Sequence, residues 1–142
     1  MKQQVYYEDV NIGDVIPGIT EHPTRRQLVM WAGAAQEFSE MHYDDTFAIE
    51  HGFPCVIVFG MLNNAFLAKM VQHWAGDNSM IKRFTISNRK FVPVDKDVIC
   101  NAQIVAKYEK DGLNLIDCAV KIICENEDCA FGEITVALPH RN

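Results

Sequence analysis

With 142 residues, 49% of them hydrophobic and 23% charged, the chain is long enough to bury a core and too apolar to remain disordered. Its 13 basic and 19 acidic residues leave a net charge of -6, which excludes a broad nucleic-acid or anionic-membrane surface, since either would repel it without a concentrated basic patch. No apolar run reaches the roughly 20 residues of a membrane helix, and Met1 to Tyr7 lacks the apolar stretch of a signal peptide, so a cytoplasmic protein is expected.

The chain opens with a short extended stretch that ends in turns at Asn11-Ile12-Gly13-Asp14 and Pro17-Gly18. Thr24 to Ala35 reads as a helix, with Thr24 as N-cap, Gln27 completing a capping box, and Leu28, Trp31, Ala32 and Ala35 on one face. A looser segment, Glu37 to Tyr43, follows, and Asp44 or Asp45 caps one or two further turns that stop at Gly52. Val58 to Trp74 gives the strongest helical signal: Val58, Leu62, Phe66, Met70 and Trp74 recur every four residues, flanked by Met61, Ala65 and Val71, and Gly76 supplies a C-cap. A stripe this wide calls for a helix packed on both flanks, as a helix wrapped by a sheet would be.

From Ile81 the period changes to two, predicting strands over Ile81–Val92, Val98–Tyr108, Leu113–Cys124 and Ala130–Leu138. Lys110-Asp111-Gly112 is a hairpin turn by its Asp-Gly step, and Glu125 to Asp128 is a second tight connection, so these strands are antiparallel neighbours. No repeat or linker interrupts the order, and one α+β domain over residues 1–142 is expected, a curved antiparallel sheet wrapped around a long central helix in the hot-dog manner. Exposed edge strands in such a sheet favour pairing into a dimer. The five cysteines, Cys55, Cys100, Cys118, Cys124 and Cys129, form no Cys-x-x-Cys pair and no zinc spacing, which predicts free thiols.

The segment Glu37-Phe38-Ser39-Glu40-Met41-His42-Tyr43-Asp44 carries the candidate chemistry. It lies between two helices, where irregular backbone lets side chains converge on a cleft, and His42 is closely flanked by carboxylates. A carboxylate and an imidazole sharing a water can deprotonate it and return a proton to carbon, as hydration of a double bond conjugated to a carbonyl requires. Taken alone, a Glu and a His five residues apart read as a surface cluster rather than a catalytic pair, and it is the context that changes this. The basic group Lys82, Arg83, Arg89 and Lys90 has two readings, a solvated strand face or a contact with substrate phosphates. Asp44 reads as a helix N-cap, and His22, His51 and His73 as surface residues. Asn63 and Asn64 are unusual on the first turns of a central helix, and Asn64 is the one assigned to the pocket.

Trp31-Ala32-Gly33-Ala34 through His42-Tyr43-Asp44-Asp45-Thr46-Phe47-Ala48, with Gly52-Phe53-Pro54 and Val56-Ile57-Val58-Phe59-Gly60-Met61-Leu62, resembles the MaoC-like family of (R)-specific enoyl-CoA hydratases. The family pattern runs approximately Ser-Gly-Asp-x-Asn-Pro-aliphatic-His-x-Asp, then a Phe-Ala helix, then Ile-Val-His-Gly-Met-Leu at the start of the central helix. The resemblance extends weakly to the opening Tyr7-Glu8-Asp9-Val10-Asn11-Ile12-Gly13-Asp14 and the closing Val136-Ala137-Leu138-Pro139. His42 falls on the family's catalytic histidine. Glu37 stands in its aspartate slot, Ser39 in the Asn slot, Glu40 in the Pro slot and Phe59 in the His slot of His-Gly-Met.

The resemblance implies hydration of a trans-2-enoyl-CoA to a 3-hydroxyacyl-CoA by Glu37 and His42, with no metal or redox cofactor. It also implies that backbone N–H groups near Gly60 polarise the thioester carbonyl, although close helix packing is an equal reason for a glycine there. Ser39 either hydrogen-bonds Glu37 or the water, or serves as a plain turn residue. Val71-Gln72-His73-Trp74-Ala75-Gly76 and Met80-Ile81-Lys82 are similar to a branch acting on CoA thioesters of bulky groups such as steroid side chains, some of whose members work as heteromers with one competent site. Two alternatives follow: a partner subunit of a heteromeric hydratase, favoured by the four altered slots, and a hot-dog thioesterase, whose usual helix carboxylate is missing between Val58 and Trp74. The expected partners are an acyl-CoA thioester and a second hot-dog chain, identical or not.

Overall fold

The computed structural model describes residues 3–141; Met1, Lys2 and Asn142, the ends of the expected domain, lie outside the described residues. Five strands, β1 (Val15–Glu21), β2 (Met80–Asn88), β3 (Val98–Lys110), β4 (Leu113–Cys124) and β5 (Glu127–Ala137), form one sheet in the order β1-β3-β4-β5-β2. Each neighbouring pair is antiparallel. Three helices, α1 (Arg25–Ala35), α2 (Asp45–Glu50) and α3 (Gly60–Ala75), precede β2, and single 3₁₀ turns cover Tyr7–Asp9 and Glu40–His42.

Alternation builds the concave face of the sheet. Val98, Cys100, Ala102 and Ile104 of β3, and Ile116, Cys118, Val120, Ile122 and Cys124 of β4, are buried at alternate positions of their strands. They close on α3, which buries Leu62, Phe66, Leu67, Met70, Val71 and Ala75 and touches β1, β2, β3 and β4. The sheet wraps the helix in the hot-dog arrangement. Both hairpins use left-handed residue pairs, Asp111-Gly112 (φ 52° and 74°) and Glu125-Asn126 (φ 50° and 65°), which match the twist of the strands they join. Among the described residues no helix is long and apolar enough to cross a membrane.

Several boundaries differ from the sequence expectations: β3 runs on to Lys110 and β5 already starts at Glu127, and three further differences have a cause in a neighbouring segment. Pro17-Gly18 is not a turn but the bulge of β1, whose register slips between Ile16 and Ile19. Proline is tolerated because β1 is an edge strand, and at Gly18 a Cβ would lie 2.8 Å from the Cys100 carbonyl oxygen, so only glycine fits against β3. The central helix starts at Gly60 rather than Val58, because the Val58 N–H is bound to the Val92 carbonyl at 2.8 Å and Ile57 bridges to Pro93, which holds this stretch extended. Strand β2 stops at Asn88 rather than Val92: the Arg89 and Lys90 N–H groups both turn onto the Cys129 carbonyl, at 2.8 and 3.0 Å.

Candidate functional site

Thr24 caps α1, its hydroxyl accepting from the Gln27 N–H, and Gln36 ends the helix in the left-handed conformation (φ 55°), with the N–H groups of both Gln36 and Glu37 returned to the Ala32 carbonyl. That reversal throws the chain into the Glu40–His42 turn. Asp44 then caps α2 by accepting from the Phe47 N–H at 3.2 Å. Asp45 accepts from the Val56 N–H at 3.0 Å and from the Arg25 guanidinium, and the Arg25 hydrogen bond, followed by the Val56 bond, holds its carboxyl below the usual aspartate range. One carboxylate therefore ties α1, α2 and the approach to α3 around the turn.

His42 is 8% exposed, and its ring stacks on Phe59 with centroids 3.8 Å apart and planes 24° apart. Its Nδ1 lies 2.7 Å from the Ile57 carbonyl oxygen, which can only accept, so Nδ1 carries the proton and Nε2 is left for chemistry. Nε2 faces Glu37 Oε1 at 3.9 Å. The separation exceeds a direct hydrogen bond and leaves the two groups to share a water. Glu37 is 48% exposed on its side chain and so keeps contact with solvent.

Beside this pair opens a cavity of about 890 Å³, walled by Phe53, Ile57, Val58, Phe91, Val92 and Pro93, with His42, Gly60, Asn63, Asn88, Arg89 and Lys90 as polar or backbone contributions. The β4–β5 hairpin end closes it with Cys124, Cys129, Glu125 and Glu127. Burial pushes the Cys124 thiol up to about 11 and raises that of Cys129. The first turn of α3 enters the cavity at Gly60. Leu62 and Asn63 both donate to the Phe59 carbonyl, and Phe59 offers no side-chain cap, so the Gly60 and Met61 N–H groups are without a partner among the described residues. A Cβ at Gly60 would sit 3.1 Å from Asn88 Nδ2, so a larger residue would crowd this end.

The structure brings some of the residues singled out by sequence together and leaves others apart. His42, Gly60, Arg89 and Lys90 line the cavity, whereas Glu37 meets it through His42. Ser39 directs its carbonyl to the His42 N–H and makes no side-chain cap. Asn64 is off the cavity wall, its Nδ2 near Met61 Sδ, while Asn63 is on that wall. Residues 63 and 64 stand three and four positions after Gly60 and both fall near its side of the helix, so helical phase does not separate them; the cavity opens on the side of Asn63.

Lys82 and Arg83 also lie away from the cavity. Arg83 pairs with Glu133, and Lys82 Nζ approaches Met80 Sδ. Lys90 pairs with Glu127 at 3.0 Å, whereas the Arg89 guanidinium sits 5.7 Å from the Phe131 ring centre and has no ion-pair partner among the described residues. Asn88, Phe53, Phe91, Cys124 and Cys129 were not anticipated as cavity residues, because the end of β2 and the β4–β5 hairpin converge there only through strand order.

No curated protein matches the chain. Among solved structures, the R-hydratase PhaJ1 from Pseudomonas aeruginosa in its unliganded form is similar with a TM-score of 0.88 at 18% identity, over 97% of this chain and 88% of that one. The (R)-hydratase from A. caviae involved in PHA biosynthesis has a TM-score of 0.85 at 20% identity, over 93% and 99% of the two chains. The ChsH1-ChsH2 complex from Mycobacterium tuberculosis has a TM-score of 0.80 at 20% identity, over 90% and 98%. At these identities the likeness is one of fold. The family profile described as MaoC like domain matches residues 10–127, which is most of the chain, and on that match this protein belongs to the MaoC-like domain family.

Proposed function

We propose that this protein hydrates trans-2-enoyl thioesters to 3-hydroxyacyl thioesters, and dehydrates them in reverse. The observation that carries this reading is the His42–Glu37 pair, 3.9 Å apart, with the imidazole held by the Ile57 carbonyl beside a cavity that receives the start of α3. A water between Glu37 and His42 adds its oxygen to the β-carbon. Glu37 holds it and helps to deprotonate it, and His42 exchanges the proton that the α-carbon takes up. The carbonyl becomes enolate-like as the C–O bond forms, and the Gly60 and Met61 N–H groups at the positive end of α3 are donors suited to that charge. The addition is redox-neutral, so the reading requires no redox cofactor, and it assigns activation of the water to Glu37 and His42 rather than to a metal.

On this reading the carrier's phosphates meet Arg89, which has no carboxylate partner among the described residues, with Lys90 beside it. A thioesterase is less well supported, because α3 carries neither Asp nor Glu. A partner subunit of a heteromeric hydratase is the second reading. Phe59 against His42, where the family pattern has His, favours it, as does the half-exposed Glu37 in an aspartate slot.

A panel of enoyl-CoA thioesters assayed on the purified protein separates these readings. Hydration is expected, and His42→Ala and Glu37→Ala each lower kcat by about 10² to 10⁴ while the fold survives, with the double variant little worse than the worse single one. A wild type inactive on every thioester, with a co-purifying hot-dog chain whose activity ignores His42→Ala, would replace the enzyme reading by the subunit one.

A further inference from the structure

Strand β2 ends on a residue that its own periodicity does not call for. Alternate side chains of a strand share a face, and Phe84 and Ile86 of β2 pack against the core, so the next position on that face is Asn88. Its partner across the ladder is the buried Ala130 of β5, on the same face. A carboxamide therefore stands where alternation asks for an apolar side chain, at the point where the sheet meets the cavity. The backbone fixes it there, because the Arg89 and Lys90 N–H groups that follow both turn onto the Cys129 carbonyl. Asn88 is exposed, and its carboxamide makes no hydrogen bond among the described residues, so a ligand in the cavity can reach it.

The carboxamide lies against the start of α3. Its Nδ2 is 3.1 Å from the position a Cβ would take at Gly60, and its Oδ1 is 3.8 Å from it. A Cβ stands about 2.5 Å from its own backbone nitrogen, so Nδ2 and the Gly60 nitrogen are no more than about 5.6 Å apart. Two donors that share one oxygen at the usual ~2.9 Å stand at most about 5.8 Å apart, which puts a shared oxygen within reach of both. The Gly60 N–H has no partner among the described residues, and the start of a helix is positive, so a second donor turned toward it gains nothing from the helix itself. An oxygen carrying negative charge between them satisfies both. The missing Cβ at Gly60 is what admits the carboxamide, since any larger residue would push it away.

We infer that the Asn88 carboxamide is a further donor to the thioester carbonyl oxygen, acting with the Gly60 N–H on the negative charge that develops there as the C–O bond forms or breaks. The inference rests on the thioester reading of the cavity. Asn88 gives up no proton in this role; it polarises the carbonyl while Glu37 and His42 handle the water. Were Asn88 instead a cap for α3, its oxygen rather than its nitrogen would serve, and an aspartate would serve at least as well.

That contrast supplies the test. Asn88→Asp is nearly isosteric and replaces the donor by a charged acceptor, whereas Asn88→Ala removes the group. The probe is sorboyl-CoA, a thioester whose second conjugated double bond opposes hydration and whose absorbance moves to longer wavelength as its carbonyl is polarised. Wild type is expected to shift the bound probe to longer wavelength, Asn88→Ala to shift it less, and Asn88→Asp to cancel most of the shift. Calorimetry should show that both variants still bind the probe, and circular dichroism that both fold. On the best enoyl-CoA substrate each variant should lower kcat by about 10² to 10³, the range for losing one such donor, with KM changing less than kcat. A kcat that Asn88→Asp leaves at the wild-type level overturns the inference, as does a probe bound to wild type without any shift; the thioester reading survives either result. Failure of wild type both to bind sorboyl-CoA and to hydrate any thioester overturns both.

Discussion

His42 is fixed on three sides: Ile57 accepts from Nδ1, Phe59 covers the ring, and Glu37 stands off Nε2 at 3.9 Å. The first two contacts leave the imidazole little freedom, so the position of the Glu37 carboxylate is the sensitive variable. Glu37→Asp withdraws it by one methylene, on the order of 1 Å, and kcat is expected to fall by about 100-fold with little change in KM. Steady-state kinetics on the best thioester of the panel check this, and an inactive wild type that gains activity on Glu37→Asp would identify a subunit that has lost its site. Glu37 and His42 were legible from residue type and from the family pattern, because their spacing is local. Polarity alone marks Asn63 and Asn64 alike, although the two stand about 100° apart around the helix. Only the position of the cavity relative to Gly60 decides between them.

The elements around the site were read well where the signal lay within one element and poorly where a neighbour imposed the boundary. The Thr24 cap, the Asp44 cap and the Asp111-Gly112 hairpin each depend on residues within a few positions, and all three are observed. Strand β1, the start of α3 and the end of β2 are set instead by Cys100, Val92 and Cys129, which are distant in sequence. Asp45 is the clasp between these elements, and its energetics carry a pH signature. The folded carboxyl titrates below its ordinary value of 3.8, so its stabilisation is fully present above that pH and is lost as the pH falls through the depressed folded value. The sign follows: Asp45→Asn should be less stable than wild type near neutrality, and the two should converge under acid conditions. Denaturant unfolding at several pH values checks this; a gap that widens on acidification would mean that the Arg25 and Val56 contacts do not govern the group.

For the whole molecule, the sheet order leaves β1 and β2 as edges, and neither hairpin covers them. Exposed apolar side chains at Val15 of β1 and Met80 of β2 add to the backbone groups left unpaired along those edges. A dimer or larger assembly, homomeric or with a second hot-dog chain, is the expected state at micromolar concentration, and analytical ultracentrifugation would check it, a monodisperse monomer refuting it. The hairpin joining β4 to β5 has a different effect on the cavity. It places Cys124 and Cys129 in the wall of a space proposed to hold a thioester, whose acyl carbon a thiolate can attack. Burial raises both thiols, that of Cys124 up to about 11, so the thiolate that would attack is scarce near neutral pH. On the proposed function, a wall of protonated thiols would not capture the acyl group as a covalent adduct, and an activated acyl compound would be held there without being consumed.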